Sequence, residues 1–297
     1  MPLLHPRQFD AAGTSTRALT GGPERQPAIL FLQSAVPGIS PYCGGAHVWG
    51  DTPARFAARY RVAALDGLGA GGTALGDGVP TIEAMGRHVV ASIEALKTGP
   101  AHLVAHDVSG MVALWLAMER PALLASITVV ASAWAAPSGD GVENYALRHP
   151  PAPLWSRESQ EWTFDRLSYS HHHIDAALLD AATAAAEGDG HRTAVAAMAG
   201  DGYARTFLGS ASRTKSLFFR AARENGLAVP TQVVWGHRDP LCSVDYGMWL
   251  FRIVAGRQRA TQFHVINRAG SFPFREQPNE FQHIVGAFVD GLQVQAA

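Results

Sequence analysis

Apolar and polar positions follow two rhythms along this chain. Compact apolar runs sit between turn-forming clusters, and longer stretches repeat apolar residues at helical spacing. Ala28-Ile29-Leu30-Phe31-Leu32 reads as a buried strand that ends in the turn-rich Gln33-Ser34-Ala35-Val36-Pro37-Gly38. Tyr60 to Asp66 is a second strand, with a glycine-rich loop from Gly67 to Gly72 behind it. From Thr81, a helix is predicted through Met85, Val89, Ile93 and Leu96, closed by Gly99-Pro100. A strand over Leu103 to Asp107 leads into a helix from about Ser109 to Glu119, stopped near Pro121, and Ser126 to Ala131 is the next strand. From Ala136 to about Gly226 the strands vanish. Prolines 137, 150, 151 and 153 mark the entry, and Ala-rich helical stretches follow at 174–186 and 193–198. Strands resume at Thr231 to Gly236 and Thr261 to Ile266, and a helix over Glu276 to Asp290 closes the pattern. The alternation predicts a mostly parallel sheet with helices on both faces. The expected division is a core of residues 1–135 and 227–297, with a helical cap, 136–226, lying over the sheet's C-terminal edge. No internal repeat is evident.

Composition narrows the possibilities. The 297 residues suit one large α/β domain with an insertion, and a hydrophobic fraction of 47% is ample for its core. A net charge of −1, without a basic stripe, argues against a nucleic-acid partner. No apolar run reaches the roughly 18 residues of a membrane span. Met1 to Pro27 carries Arg7, Arg17 and Arg25 without an apolar stretch, so no secretory signal is expected. Cys43 and Cys242 make neither a disulfide framework nor a metal cluster, and a reducing cytoplasm is the expected setting. The expected partner is a small molecule, and homo-oligomerisation stays open.

Two segments carry the candidate chemistry. Leu103 to Met111 reads as strand, tight turn and helix, with Asp107 at the apex, the arrangement of a nucleophile elbow. Asn267 to Glu276 follows the last strand and carries Ser271. Three more segments join them: Gln33 to Gly38, Asp66-Gly67-Leu68-Gly69-Ala70-Gly71-Gly72-Thr73, and Trp235-Gly236-His237-Arg238-Asp239. In this order and spacing, the five resemble the α/β-hydrolase superfamily from about residue 26 to 294. The nearest likeness is to its capped branch, which contains the meta-cleavage-product C–C hydrolases and the epoxide hydrolases. The resemblance implies the α/β-hydrolase fold. It also implies an oxyanion site made by the amides of Ala35 and Val108, and places Asp239 where the family's triad acid stands. Ala269-Gly270-Ser271-Phe272 falls where the family carries Gly-His, so the usual catalytic base is replaced by a serine. Gln33-Ser34 replaces the family's His-Gly. An aspartate at the apex resembles the epoxide hydrolases and dehalogenases. Val108, not tryptophan, follows it, which argues against dehalogenation.

Each remaining residue has a bland alternative. Asp239 either orients a partner in the cleft or caps the following turn. Ser271 either touches substrate or fills space. Two carboxyls near one apolar pocket would acquire separated pKa values. His106 is expected to point into the core and His264 to be structural, and His237 is the histidine nearest Asp239 that could reach the cleft. The tract His171-His172-His173 does not converge as a metal site, because adjacent helical residues diverge by about 100°. Trp134, Trp155, Trp162, Phe164 and Tyr169 either line an apolar pocket or pack the cap. Tyr145, Tyr169 and Tyr203 are candidate donors to a substrate oxygen. Gly69 and Gly71 lack the spacing of a dinucleotide fingerprint, and no cofactor is expected.

The site set is therefore Asp107 and Asp239 as chemical groups, with Gln33, Ser34, Ala35, Val108, Trp134, Tyr169, Ser271 and Phe272 as oxyanion or substrate contacts. Three functions are compatible with it. The first is a cofactor-free lyase, isomerase or cyclase on a small, mostly apolar carbonyl or polyketide-like compound, with Asp107 as acid or base. The second is a hydrolase of C–C, ester or epoxide bonds, with Asp107 as nucleophile and a base from elsewhere. The third is a non-catalytic small-molecule-binding protein.

Overall fold

The computed structural model describes residues 2–137, 147 and 149–296. Eight strands form one sheet: β1 (His5–Ala11), β2 (Thr14–Gly21), β3 (Ala28–Ser34), β4 (Arg61–Asp66), β5 (Ala101–Asp107), β6 (Leu124–Val130), β7 (Thr231–Gly236) and β8 (Thr261–Ile266). Their spatial order is β1-β2-β4-β3-β5-β6-β7-β8. All neighbours from β4 to β8 pair in parallel, as the strand–helix alternation predicts. The antiparallel β1 and β2 on one edge are outside that prediction. β1 is mostly exposed and polar, so no apolar run announces it. The hairpin turn is Ala12-Gly13, both at positive φ, with Ala12 where asparagine or aspartate would be the recognisable residue.

The helices are α1 (Thr52–Phe56), α2 (Ile82–Leu96), α3 (Val108–Glu119), α4 (Arg157–Leu167), α5 (Ala176–Ala186), α6 (Asp189–Met198), α7 (Leu208–Glu224), α8 (Val244–Ala255), α9 (Pro273–Glu276) and α10 (Pro278–Ala296). α4 to α7 lie between β6 and β7, and a π-helical turn, Gly202–Phe207, leads into α7. The single closing helix expected from the sequence is two, because Gln277 leaves helical geometry ahead of Pro278. Among the described residues, no helix is long and apolar enough to cross a membrane.

Strand alternation builds the core on both faces. Leu30, Leu32, Leu103, Ala105 and Val129 pack against α2, α3, α7 and α8. Ile29, Phe31, Val104 and Val130 face Trp49, Phe56 of α1 and Phe281 of α10, and this second layer continues into Phe164 and Leu178 of the insertion. The chain runs from β3 out to β4 and then returns to β5 on β3's other side. Such a switch in strand order opens a crevice at the carboxyl ends of the two strands. There the register sets Gln33 opposite His106 and Ser34 opposite Asp107.

Candidate functional site

Asp107 ends β5 with φ 53° and ψ −123°, a backbone geometry that costs a non-glycine residue energy. Its surroundings hold it there. The Ser132 hydroxyl donates to the Asp107 carbonyl oxygen and accepts from Ala135 N–H at 3.1 Å. Gly110 allows this approach, since a Cβ there would lie 2.5 Å from Ser132 Oγ. α3 begins at Val108, so its first amides face the apex.

Asp107 is only 7% exposed. Its Oδ2 accepts from the Tyr42 hydroxyl at 3.3 Å, while Oδ1 is buried without a hydrogen-bond partner. Burial pushes this carboxyl up to about 7. The Tyr42 hydrogen bond opposes the rise, and the charge of Asp239 adds to it. Tyr42 itself is buried between the rings of Phe164, 5.1 Å away, and Phe272, 5.9 Å away.

Asp239 lies in the loop after β7. Its Oδ1 accepts from Leu241 N–H at 3.0 Å and Ser271 Oγ–H at 2.6 Å, with a longer contact to Cys242 N–H at 3.4 Å. It therefore caps the following turn and also binds Ser271. Burial raises this carboxyl to about 6 against the pull of those donors. Ser271 is fixed at three points, because its N–H donates to Leu167 O at 2.8 Å and its carbonyl accepts from His106 Nε2–H at 2.8 Å. His106 lies, as its place on β5 suggests, inside the core, edge-on to Trp49 and Phe274. Burial drops it to about 4, so it is a neutral ring. His237 is exposed, and His264 bonds Gln262.

The other expected contacts are spread more widely. Gln33 turns inward: its Oε1 accepts from Gly45 N–H at 2.7 Å and its Nε2 donates to Tyr42 Oη at 3.2 Å. Ser34 accepts from the Ser109 hydroxyl at 3.1 Å. Ala35 borders a cavity of about 10 Å3, shared with Tyr42, Cys43, Gly44 and His191 of α6, which is about the room one water needs. Phe272 is buried against Tyr42, Phe164 and His106. Trp134 packs edge-on to Phe207, 5.4 Å away, and Tyr203 stacks on the same ring. Tyr169 departs from the expectation of a pocket-facing ring. Its residue is 49% exposed, and it is its backbone N–H that works inside, donating to Glu276 Oε1 at 2.7 Å. Tyr145 lies outside the described residues. Trp155 donates to Ser40 O at 2.8 Å, so it ties the insertion to the loop after β3.

The three histidines at 171–173 turn to separate partners: His171 to Asp165, His172 to Ser170, and His173 to Ser168 and Arg275. Among the described residues, no group of three or more histidine, cysteine, aspartate or glutamate side chains is placed to hold a metal.

Sequence reasoning missed Tyr42, Arg275 and Glu276. Tyr42 sits in Pro41-Tyr42-Cys43-Gly44-Gly45, whose only local signal is a pair of glycines; Gly44 lets the loop fold back until a Cβ there would be 2.7 Å from Ala35 N. Glu276 accepts from Gly270, Tyr169 and Ser170 N–H at 2.6, 2.7 and 3.1 Å. Arg275 reaches His173 O at 2.8 Å and Asp175 at 3.3 Å. Together they fasten the segment after α4 to the loop that carries Ser271. The assembled centre is thus two buried carboxyls, one held by a phenol and one by a serine hydroxyl.

Residues 35–282 match the family described as "Alpha/beta hydrolase family". The chain is 25% identical over 287 residues to 3-oxoadipate enol-lactonase 1 of Acinetobacter baylyi, covering 95% of each chain. It is 24% identical over 272 residues to the 2-hydroxy-6-oxononadienedioate/2-hydroxy-6-oxononatrienedioate hydrolase of Paraburkholderia xenovorans, covering 88% of this chain and 86% of the relative. Among solved structures, the 2-hydroxy-6-oxo-6-phenylhexa-2,4-dienoate hydrolase of Rhodococcus sp. strain RHA1 superposes with a TM-score of 0.74 at 17% identity, covering 97% of this chain and 99% of that one. The fold is that of these proteins, as the five ordered segments imply.

Proposed function

Because the chain belongs to the alpha/beta hydrolase family, we propose that its Asp107 centre is a cofactor-free enzyme centre that moves a proton on a small, mostly apolar carbonyl compound able to enolise. One observation carries this reading. A carboxyl that ordinarily titrates near 4 is held near 7 by burial at the strand–helix apex, with one oxygen unpartnered. A group poised near neutral pH serves as base in one half of a reaction and as acid in the other. In the forward half, Asp107 takes the hydrogen from the carbon beside the carbonyl. The C–H electron pair becomes the enolate, and its oxygen is met by the amides of Ala35 and Val108. In the second half the enolate recovers the proton at another carbon, expels a leaving group, or attacks a second carbonyl. These outcomes are an isomerase, a lyase and a cyclase. The names of the two curated relatives, an enol-lactonase and a hydroxy-oxo-dioate hydrolase, are consistent with enolisable substrates.

The second reading is a hydrolase of C–C, ester or epoxide bonds with Asp107 as nucleophile. The hydrolases among the relatives favour it. The Ser271 hydroxyl, bonded to Asp239, is however no base for the water that must release the ester. A third, non-catalytic reading would leave the raised carboxyl without a task.

The test is deuterium wash-in. A panel of apolar ketones and 1,3-dicarbonyl compounds is incubated with the protein in deuterium oxide and followed by NMR. The expected result is exchange beside the carbonyl of one compound class, lost in Asp107→Asn. Exchange above the buffer rate that persists in Asp107→Asn would overturn the proton-transfer reading, and C–C cleavage of the 1,3-dicarbonyl compounds without exchange would favour the second reading.

A further inference from the structure

The two oxygens of the Asp107 carboxyl are unequal, and the inequality has a traceable cause. Gly45 N–H can only donate, and it lies 2.7 Å from Gln33 Oε1. That contact fixes which end of the Gln33 amide faces which way, so Nε2 is the end 3.2 Å from the Tyr42 oxygen. The phenol oxygen is therefore an acceptor on the Gln33 side, and its single hydrogen is left for Asp107 Oδ2, 3.3 Å away. The ring cannot swing aside, because Phe164 of α4 and Phe272 pack against it. Oδ1, by contrast, is buried and bare.

We infer that Tyr42 is a positioning residue for Asp107, aimed by the Gln33 amide, and that it reserves Oδ1 as the oxygen that meets the substrate's hydrogen. The assignment rests on the reading of Asp107 as the acting group. The phenol remains protonated throughout, since burial and the neighbouring Asp107 hold it well above the usual tyrosine range. A donor fixed on Oδ2 favours the ionised carboxyl and blocks rotation about the Cβ–Cγ bond. The uncompensated Oδ1 is then the more basic edge. Its partner is a molecule presenting an acidic C–H or an enol O–H, and a carboxylate ligand would be repelled.

The other groups around Asp107 are few. Asp239, from the loop after β7, is the second titratable group acting on it, and it is bonded to Ser271. On β5 itself, His106 is neutral and turned to Ser271 O. From the loop after β6, Ser132 bonds the main-chain oxygen only. From the insertion, the contact behind Tyr42 is the apolar Phe164.

The experiment reads the carboxyl directly. Aspartate labelled with carbon-13 at Cγ is incorporated, the Asp107 signal is assigned by its loss in Asp107→Asn, and its titration is followed by NMR. In Tyr42→Phe the midpoint should rise by about one to two pH units, the worth of a hydrogen bond to a charged group. Gln33→Glu should also raise it, because a carboxylate at 33 captures the phenol hydrogen while still accepting from Gly45. A third protein keeps every side chain in place: the six tyrosines are replaced biosynthetically by the more acidic 3-fluorotyrosine, and the midpoint should fall. An unmoved midpoint in Tyr42→Phe, or an unmoved or raised one with fluorotyrosine, overturns the assignment whatever the wash-in shows. Midpoints that move as expected in a protein that gives no wash-in uphold the Tyr42 contact and refute the proton-transfer reading instead.

Discussion

Asp107→Asn should inactivate the protein and make it more stable at neutral pH. The loss of activity follows from removing the proposed acid–base group, an effect of about 10²- to 10⁴-fold. The gain in stability follows from proton linkage. The folded carboxyl titrates near 7 and the unfolded one near 3.9, so between these values the folded state holds more protons than the unfolded one. Stability contributed by this residue therefore falls as pH rises from about 4 to 7, and the penalty is complete above 7. Its full size is about 4 kcal/mol for a shift of this extent. Asparagine removes the penalty but leaves its own amide N–H buried opposite nothing, at about 1–3 kcal/mol. The expected net gain is about 1–3 kcal/mol at pH 8, seen as a raised Tm, and the gain should shrink to nothing or reverse by pH 5. An equal Tm difference at both pH values would contradict the assignment of a raised carboxyl to this site. Function held at a cost in stability is a common trade at active sites.

Glu276→Ala should be among the most damaging single changes outside the hydrophobic core. The residue is buried and accepts from three main-chain amides, those of Gly270, Tyr169 and Ser170. Two belong to the segment after α4, and the third immediately precedes Ser271. The contact is close on both sides: a Cβ at Gly270 would lie 2.5 Å from Leu167 O. Alanine strands one buried N–H, that of Gly270, and two half-buried ones, those of Tyr169 and Ser170. Even after relief of the buried carboxyl, which burial raises to about 7, the expected loss is about 2–4 kcal/mol. Glu276→Gln retains an oxygen for Tyr169 and Ser170 but turns an amide donor toward Gly270 N–H, so it should cost less than alanine and more than nothing. Thermal unfolding measures the totals. Hydrogen exchange should show the opening concentrated at 167–175 and 268–272 in Glu276→Ala. A uniform rise in exchange over the whole sheet would mean that Glu276 supports the fold generally and is no specific fastening.

Much of this organisation was legible in the sequence, and the reasons are local. β3, β5, β6 and β7 are short runs of buried residues between turn formers, and the helix of Met85, Val89, Ile93 and Leu96 shows its period openly. The Asp107 turn was readable because a strand, a charged apex and a small residue at Gly110 follow one another without interruption. The β1–β2 hairpin was not, because half-exposed polar strands carry no such run. Gln33 was expected as an oxyanion or substrate contact from its place where the first apolar run meets a turn-rich segment; its orientation depends on Gly45, twelve residues on, which no local pattern reveals. Tyr42 escaped for the same reason. The tyrosines sought were those of the insertion, whereas the phenol that bonds Asp107 comes from the loop that folds back over the end of β3. Tyr169 shows the converse: a promising aromatic by position, it contributes a backbone amide. Side-chain identity shows what a position is able to do, but the loop closures that give it a partner are tertiary.

On the proposed reading, Asp107 exchanges protons with its substrate and forms no ester with it. A turnover experiment in oxygen-18 water tests this most directly, using the compound that shows wash-in. If Asp107 were the nucleophile, water would release the ester by attacking its acyl carbon, and oxygen-18 would remain in the Asp107 carboxyl. The protein is digested after turnover and the peptide containing Asp107 is weighed. The expected result is a peptide of unchanged mass, alongside deuterium in the product of a parallel run in deuterium oxide. A peptide heavier by one oxygen-18 at Asp107 would contradict it and make this centre a covalent hydrolase.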